Sequence, residues 1–160
     1  MTAAPPITEA AAEFGAALPL GGVLMGLDPG TKTIGSAFCD AGWSFASPGK
    51  TLARGKFARD RAALEALVVE RGVRGIVIGL PLNMDGSAGP RAQAARAFAR
   101  NLAPLELPVL LWDERWSTAA AERAMIAQDF SRARRAERID SHAAAIILQA
   151  AIDRLAGGVI

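Results

Sequence analysis

Apolar positions along this chain fall into two patterns, unbroken runs of strand length and longer stripes at helical spacing. Val23-Leu24-Met25-Gly26-Leu27 and Gly75-Ile76-Val77-Ile78-Gly79-Leu80 are unbroken runs, as expected of strands buried on both faces. Residues 33–40 and 43–53 read as two more strands, the second interrupted at Pro48-Gly49. Short turns join these two to the first run, which makes the three antiparallel neighbours. A helix is predicted over residues 61–71, capped by Asp60, with Leu64, Leu67 and Val68 on its apolar stripe and Gly72 as its stop. Another begins near Pro90 and turns Ala94, Ala95, Phe98 and Leu102 inward, and residues 108–112 form a fifth strand. Two helices complete the chain, one from Ser117 or Thr118 to about Gln128 and one from about Ile139 to Ala156. The last carries a stripe of Ala144, Ile147, Leu148, Ala151 and Leu155, and Asp140, four residues before Ala144, falls on the same stripe. A charge stands there in place of an apolar contact.

These elements predict an α/β domain over residues 23–156. Its mixed five-stranded sheet has three antiparallel strands followed by two parallel strands reached through helical crossovers. Open sheets of this class place their sites beyond the carboxyl ends of the parallel strands. Asp28 ends the first strand and Asp113-Glu114 end the fifth, while Asp140 comes from a helix able to lie against them. Residues 1–22 are rich in Ala and Pro and hold no Lys or Arg, so they read as a flexible leader with a short helix around residues 9–17; residues 157–160 form a tail.

The chain's 160 residues suit one domain with a substantial core. No stretch is long and uncharged enough to span a bilayer, and the leader lacks the positive start of a signal peptide. Cys39 is the sole cysteine, which excludes an intrachain disulfide and a cysteine-based zinc site and fits a reducing cytoplasm. It reads as a small buried hydrophobe. The net charge of +2 says little, but its distribution says more. Lys50, Arg54, Lys56, Arg59 and Arg61 stand against Asp60, and Arg132, Arg134, Arg135 and Arg138 against Asp129 and Glu137. Two basic segments around a set of carboxylates suit a protein that grips a polyanion.

Asp28 closes an apolar run and opens the tight turn Asp28-Pro29-Gly30-Thr31-Lys32. Burying an ionised carboxylate costs several kcal/mol unless a cation or good hydrogen bonds compensate, so charge work is expected of it. Phosphodiester hydrolysis needs an activated water, a stabilised leaving oxygen and positive charge on the phosphate. A pair of Mg²⁺ or Mn²⁺ ions about 3.5–4 Å apart supplies all three. In this scheme Asp28 bridges the metals, Glu114 and Asp140 complete one side each, and Asp113 orients water or supports the ligands from outside. Lys32, Arg91 and Arg115 are candidate phosphate contacts, as are Arg132, Arg134 and Arg135. Asn83 and Ser87 lie in a loop suited to touch sugar or base, and Trp112 and Trp116 alternate about the acidic pair and offer stacking faces. Simpler roles stand beside these: Asp28 as a turn former, Asp140 as a helix cap, Asp113 and Glu114 as surface partners of Arg115 or Arg123, Asp85 as a turn residue, and Trp112 as core.

Four blocks carry a family resemblance. They are Gly26-Leu27-Asp28-Pro29-Gly30-Thr31-Lys32-Thr33-Ile34-Gly35, Gly79-Leu80-Pro81-Leu82-Asn83-Met84-Asp85-Gly86-Ser87, Asp113-Glu114-Arg115-Trp116-Ser117-Thr118 with Ala121-Glu122, and residues 139–149 around Asp140-Ser141-His142. In this order they resemble the YqgF (RuvX) family of Holliday-junction resolvases and pre-16S rRNA nucleases. The resemblance implies a ribonuclease-H-like fold, a divalent metal held by acids, and cytoplasmic processing of the 5′ end of pre-16S rRNA in the pre-ribosomal particle, with branched DNA as a second substrate. In the wider superfamily a carboxylate often ends the fourth strand. Here that place is Gly79-Leu80-Pro81, so Asp113 or Glu114 must replace it, with Glu114 favoured for its reach. Two other readings remain open. One is a non-catalytic RNA-binding assembly factor; the other is a nucleotide-binding domain of the actin-like ATPase type, whose phosphate loop Asp28-Pro29-Gly30-Thr31 also resembles.

Overall fold

The computed structural model describes residues 4–117 and 132–157, with side chains described throughout except at 132–140. The order of elements is β1 (Ile7–Thr8), α1 (Ala11–Ala16), β2 (Val23–Pro29), β3 (Thr33–Cys39), β4 (Ala46–Ala53), α2 (Phe57–Arg71), β5 (Val73–Leu80), α3 (Pro90–Asn101), β6 (Val109–Asp113) and α4 (Arg132–Ala156). They build one six-stranded sheet in the order β1-β6-β5-β2-β3-β4. Strands β2, β3 and β4 pair antiparallel, and β5 and β6 extend the sheet in parallel. The helix expected from Ser117 or Thr118 to about Gln128 lies outside the described residues from 118 onward, and the last helix, expected from about Ile139, is helical already at Arg132. Among the described residues no helix is long and apolar enough to cross a membrane.

The sixth strand corrects the expected five. Ile7–Thr8 pairs in parallel with Val109–Leu110, and the Val109 amide donates to the Pro6 carbonyl at 2.9 Å. Two residues carry no periodicity to read, so only the partner strand defines them. Phe14 of α1 is fully buried against the same face as Leu24, Val77 and Leu110, and Glu9 pairs with Arg96 at 3.1 Å. The stretch read as a flexible leader therefore closes the sheet's edge.

Two cores sandwich the sheet. Helices α2 and α3 pack on Met25, Leu27, Ile76, Ile78 and Leu111, while α1 and α4 pack on Leu24, Val77, Leu110 and Trp112. Strand alternation therefore puts residues 24, 26 and 28 on the α4 side and 25 and 27 on the other. Gly26 is required there, since a Cβ would sit 2.9 Å from both the Ala144 carbonyl oxygen and the Leu148 Cβ. Gly72 ends α2 in the left-handed conformation at φ 63°, as its position predicts, and Pro90 starts α3. Asp60 does not cap α2. It lies within the first turn, 4% exposed, and both its carboxylate oxygens accept from the Gly55 amide. Ala94, expected inward, is exposed, and Ala92 and Ala99 are buried in its stead. Cys39 is buried, its sulfur accepts from the Leu24 amide at 3.3 Å, and burial pushes its thiol up.

Candidate active site

The carboxyl ends of β2 and β5 and the turn after β6 meet in a cavity of about 160 Å³. Asp28 and Glu114 line it, each only 6% exposed, with Arg54 and Arg91 at its rim and Gly79, Pro81, Ala95 and Phe98 as its wall. Asp28 arrives through β2, whose register places it opposite Gly35 and beside the end of β5. Immediately after it the turn is pinned, with the Gly30 amide donating to the Thr33 carbonyl at 2.8 Å and the Arg54 guanidinium to the Gly30 carbonyl at 2.6 Å. Arg54 also lies over the Phe98 ring, 5.6 Å from its centre. One residue thus holds the turn that presents Asp28 and brings a positive charge to the same cavity.

Glu114 reaches the cavity by leaving the strand. After Asp113 the chain enters a single 3₁₀ turn, Glu114–Trp116, and its first residue folds back over β5. The place it fills exists because residue 79 has no side chain: a Cβ there would come 3.1 Å from Glu114 Oε2 and 2.7 Å from Ile147 Cδ1.

Asp113 has a different environment. It shares the side of β6 that Leu111 faces, opposite to Trp112, and its carboxylate takes the Arg115 guanidinium at 2.7 Å as well as the Arg115 amide at 3.0 Å. The hydrogen bonds from the Arg115 side chain hold this carboxyl below the usual range, and the same pair raises Arg115. Arg115 also donates to the Met84 carbonyl at 3.2 Å, tying the turn to the loop after β5. In that loop Asp85 accepts from the Ser87 amide and hydroxyl, which hold its carboxyl down, and Asn83 donates to Ser87. These three residues fold the loop.

The remaining candidates are dispersed. Lys32 is exposed on the turn and outside the cavity lining, and Arg91 lies in the first turn of α3, on the rim. Arg132, Arg134, Arg135 and Asp140 belong to α4, and their side chains lie outside the described residues. The helix path fixes the level of residue 140 nonetheless. Ser141 hydrogen-bonds Thr51, which pairs with Gly35 in the row of Asp28, and Gln149 accepts from the Ala46 amide, which lies in the row of Cys39. Eight helical residues rise about 12 Å, and four strand residues span about 13 Å, so α4 runs antiparallel to β2 and residue 140 stands level with Asp28. Among the described residues no group of three His, Cys, Asp or Glu is able to hold a metal.

Residues 22–154 match the RuvX family, described as Holliday junction resolvase. The chain belongs to the RuvX family. Its relatives include a "Putative pre-16S rRNA nuclease" of Sphingopyxis alaskensis, 72% identical over 93% of this chain and 98% of the relative. Another of the same name from Novosphingobium aromaticivorans is 70% identical over 94% of this chain and 97% of the relative. The structure of T. thermophilus RuvC in complex with Holliday junction substrate superposes with a TM-score of 0.52 at 15% identity, covering 84% of this chain and 96% of that one. At that identity the likeness speaks for the fold, which is ribonuclease-H-like. In this RuvX chain two cavity residues had no individual role in the sequence reading. Arg54 was visible only as one of a basic run, and its place became readable once β4 was paired beside the Gly30 turn. Gly79 was visible as part of a buried strand and of a motif block, at a place where an acid often stands, but not as the space that Glu114 fills.

Proposed function

We propose that this RuvX chain hydrolyses phosphodiester bonds with a divalent metal held at Asp28 and Glu114, and that its substrate is the 5′ extension of pre-16S rRNA in the cytoplasm. The observation that carries the reading is the pair of carboxylates, from distant parts of the sequence, buried in one arginine-rimmed cavity. Hard oxygen donors of this kind fit Mg²⁺ or Mn²⁺, and Mg²⁺ typically takes only one or two protein carboxylates and keeps waters. Asp140, level with Asp28 on α4, is the proposed third ligand. When bound, the metal supplies charge to the phosphate and lowers the pKa of a coordinated water.

The chain's own groups do the rest. Arg54 and Arg91 receive non-bridging phosphate oxygens through charge-assisted hydrogen bonds, and the amino-terminal end of α3 adds positive potential beside them. Phe98 and Pro81 limit water on the far wall, which strengthens each of these interactions. Asp113 acts by holding Arg115, which in turn positions the loop after β5. The names of the relatives favour pre-16S rRNA, and the family's description favours four-way DNA junctions as a second substrate; both favour a nuclease over an RNA-binding assembly factor or an actin-like ATPase domain.

The test is cleavage of a 5′-extended 16S precursor and of a four-way DNA junction in Mg²⁺ or Mn²⁺ by wild type and Asp28→Asn. Loss of cutting with retained binding is expected. Cutting by Asp28→Asn at the normal rate removes Asp28 from the mechanism, and equal activity in chelator removes the metal.

A further inference from the structure

Trp116 is 61% exposed, although it follows the buried Glu114 by only two residues. A large aromatic ring left open to water beside a cavity for a charged backbone needs a reason. Its orientation is fixed from below, because it meets the buried Trp112 edge to face with ring centres 5.8 Å apart. The indole N–H of Trp112 is itself buried and finds no acceptor among the described residues. Buried donors are seldom left this way, so the pair sets an exposed indole, Trp116, on a ring whose own polar atom is closed off from solvent. Beside it Arg115 is clamped by Asp113 and reaches the carbonyl of Met84, itself 88% exposed. Strand β6 stands two inter-strand spacings from β2, about 10 Å across the sheet, so the open ring is within a neighbouring nucleotide's reach of Asp28.

We propose that Trp116 is a stacking platform for an unstacked nucleobase of the substrate, next to the phosphate that enters the Asp28–Glu114 cavity. This rests on the nuclease reading. The occupant follows from the surroundings: a polyanionic strand drawn by Arg54, Arg91 and Arg115 brings bases along with its phosphates, and every base has a π-face that an indole accepts without regard to sequence. Trp112 fixes the ring, so little freedom is lost when a base lands on it. The Asp113–Arg115 pair keeps the turn carrying Trp116 joined to the loop after β5, so platform and cavity move as one piece.

The experiment measures binding of a fluorescently labelled single-stranded RNA from the 5′ extension to Trp116→Ala, Trp116→Phe and wild type, each in the Asp28→Asn background so that cleavage does not interfere. Trp116→Ala is expected to weaken binding about 5- to 150-fold, the range for one lost base stack. Trp116→Phe should keep most of the affinity, and the loss should be similar for RNAs of different sequence. Replacing single nucleotides near the cut with abasic ones should abolish the difference between tryptophan and alanine at one position. Equal affinity of Trp116→Ala and its parent overturns the proposal, as does a loss that persists at every abasic position, which marks Trp116 as a contact for a protein or for the fold. Failure of the nuclease reading shows separately, as absence of cutting by the protein with Asp28 intact while Trp116 still governs RNA binding.

Discussion

Gly79→Ala isolates the placement of Glu114. A Cβ at residue 79 would stand 3.1 Å from Glu114 Oε2 and 3.2 Å from its Cδ, against 2.7 Å from Ile147 Cδ1. Contacts of 3.0–3.4 Å are tighter than a Cβ ordinarily makes, so the carboxylate must give by a few tenths of an ångström. Misplacing a reacting group by about 1 Å costs on the order of 100-fold, so a shift of a few tenths is expected to reduce cutting roughly 3- to 10-fold. Stability responds differently. Extra volume in a packed site costs typically about 1–3 kcal/mol, offset by about 0.5–1 kcal/mol because alanine loses less backbone freedom than glycine. The fold survives. Adding Ile147→Val removes the methyl in closest conflict and should restore the melting temperature while leaving both cutting and Mn²⁺ affinity, read by calorimetry, impaired. Wild-type cutting and wild-type Mn²⁺ affinity in Gly79→Ala would show that the Glu114 carboxylate does not need the space and is not a ligand.

Two further outcomes follow from the same coordinates. Phe14→Ala empties a fully buried position between α1, α4 and the sheet, at a cost of about 3–5 kcal/mol or roughly 6–20 °C in Tm for a chain of this size; a melting curve within 1 °C of wild type, taken as the order of experimental scatter, would mean that the amino-terminal segment does not dock. Asp113→Asn removes a carboxyl that Arg115 holds below its ordinary range. A depressed folded-state pKa contributes stability above the unfolded value, near about 3.9, and loses it as pH falls through the folded value. The gap in Tm between wild type and Asp113→Asn should therefore persist from neutral pH to about pH 4 and close below it; a gap that widens on acidification contradicts the pairing.

What was legible in the sequence was what local chemistry decides. The apolar run ending at Asp28, the glycine stop at Gly72 and the proline start at Pro90 each depend on neighbours within a few residues, and each stands where the pattern puts it. The first strand was not legible, because Ile7–Thr8 is a strand only by virtue of Val109–Leu110 a hundred residues away. Alternation along 109–113 separates Trp112 from Asp113, yet it cannot say where the cavity lies; that depends on how the helices close on the strand ends, and α3 supplies its wall through Ala95 and Phe98. Glu114 escapes alternation altogether, since the chain has already turned out of the strand. Asp60 shows the converse error: a residue type favoured at helix starts was spent instead on the amide of Gly55 before the helix.

Two glycines on the α4 side of adjacent strands have opposite uses, and together they explain why the acids are buried. At Gly26 the missing side chain lets the helix backbone close on the sheet, with the Ala144 oxygen 2.9 Å from where a Cβ would be. At Gly79, nearer the carboxyl ends of the strands, the same absence admits a carboxylate between strand and helix. The tight contact at Gly26 sets the height of α4, and at the next row the space beside Gly79 takes the Glu114 carboxylate. Enclosing a carboxylate carries a desolvation cost that charge or hydrogen bonds must offset, and gathering two of like sign in one cavity adds repulsion that Arg54 and Arg91 reduce. A sheet closed by leucine and valine would avoid both. A cation held by the two carboxylates, as proposed above, would offset both costs, and the glycines that shape the backbone are what give Glu114 its place in the cavity.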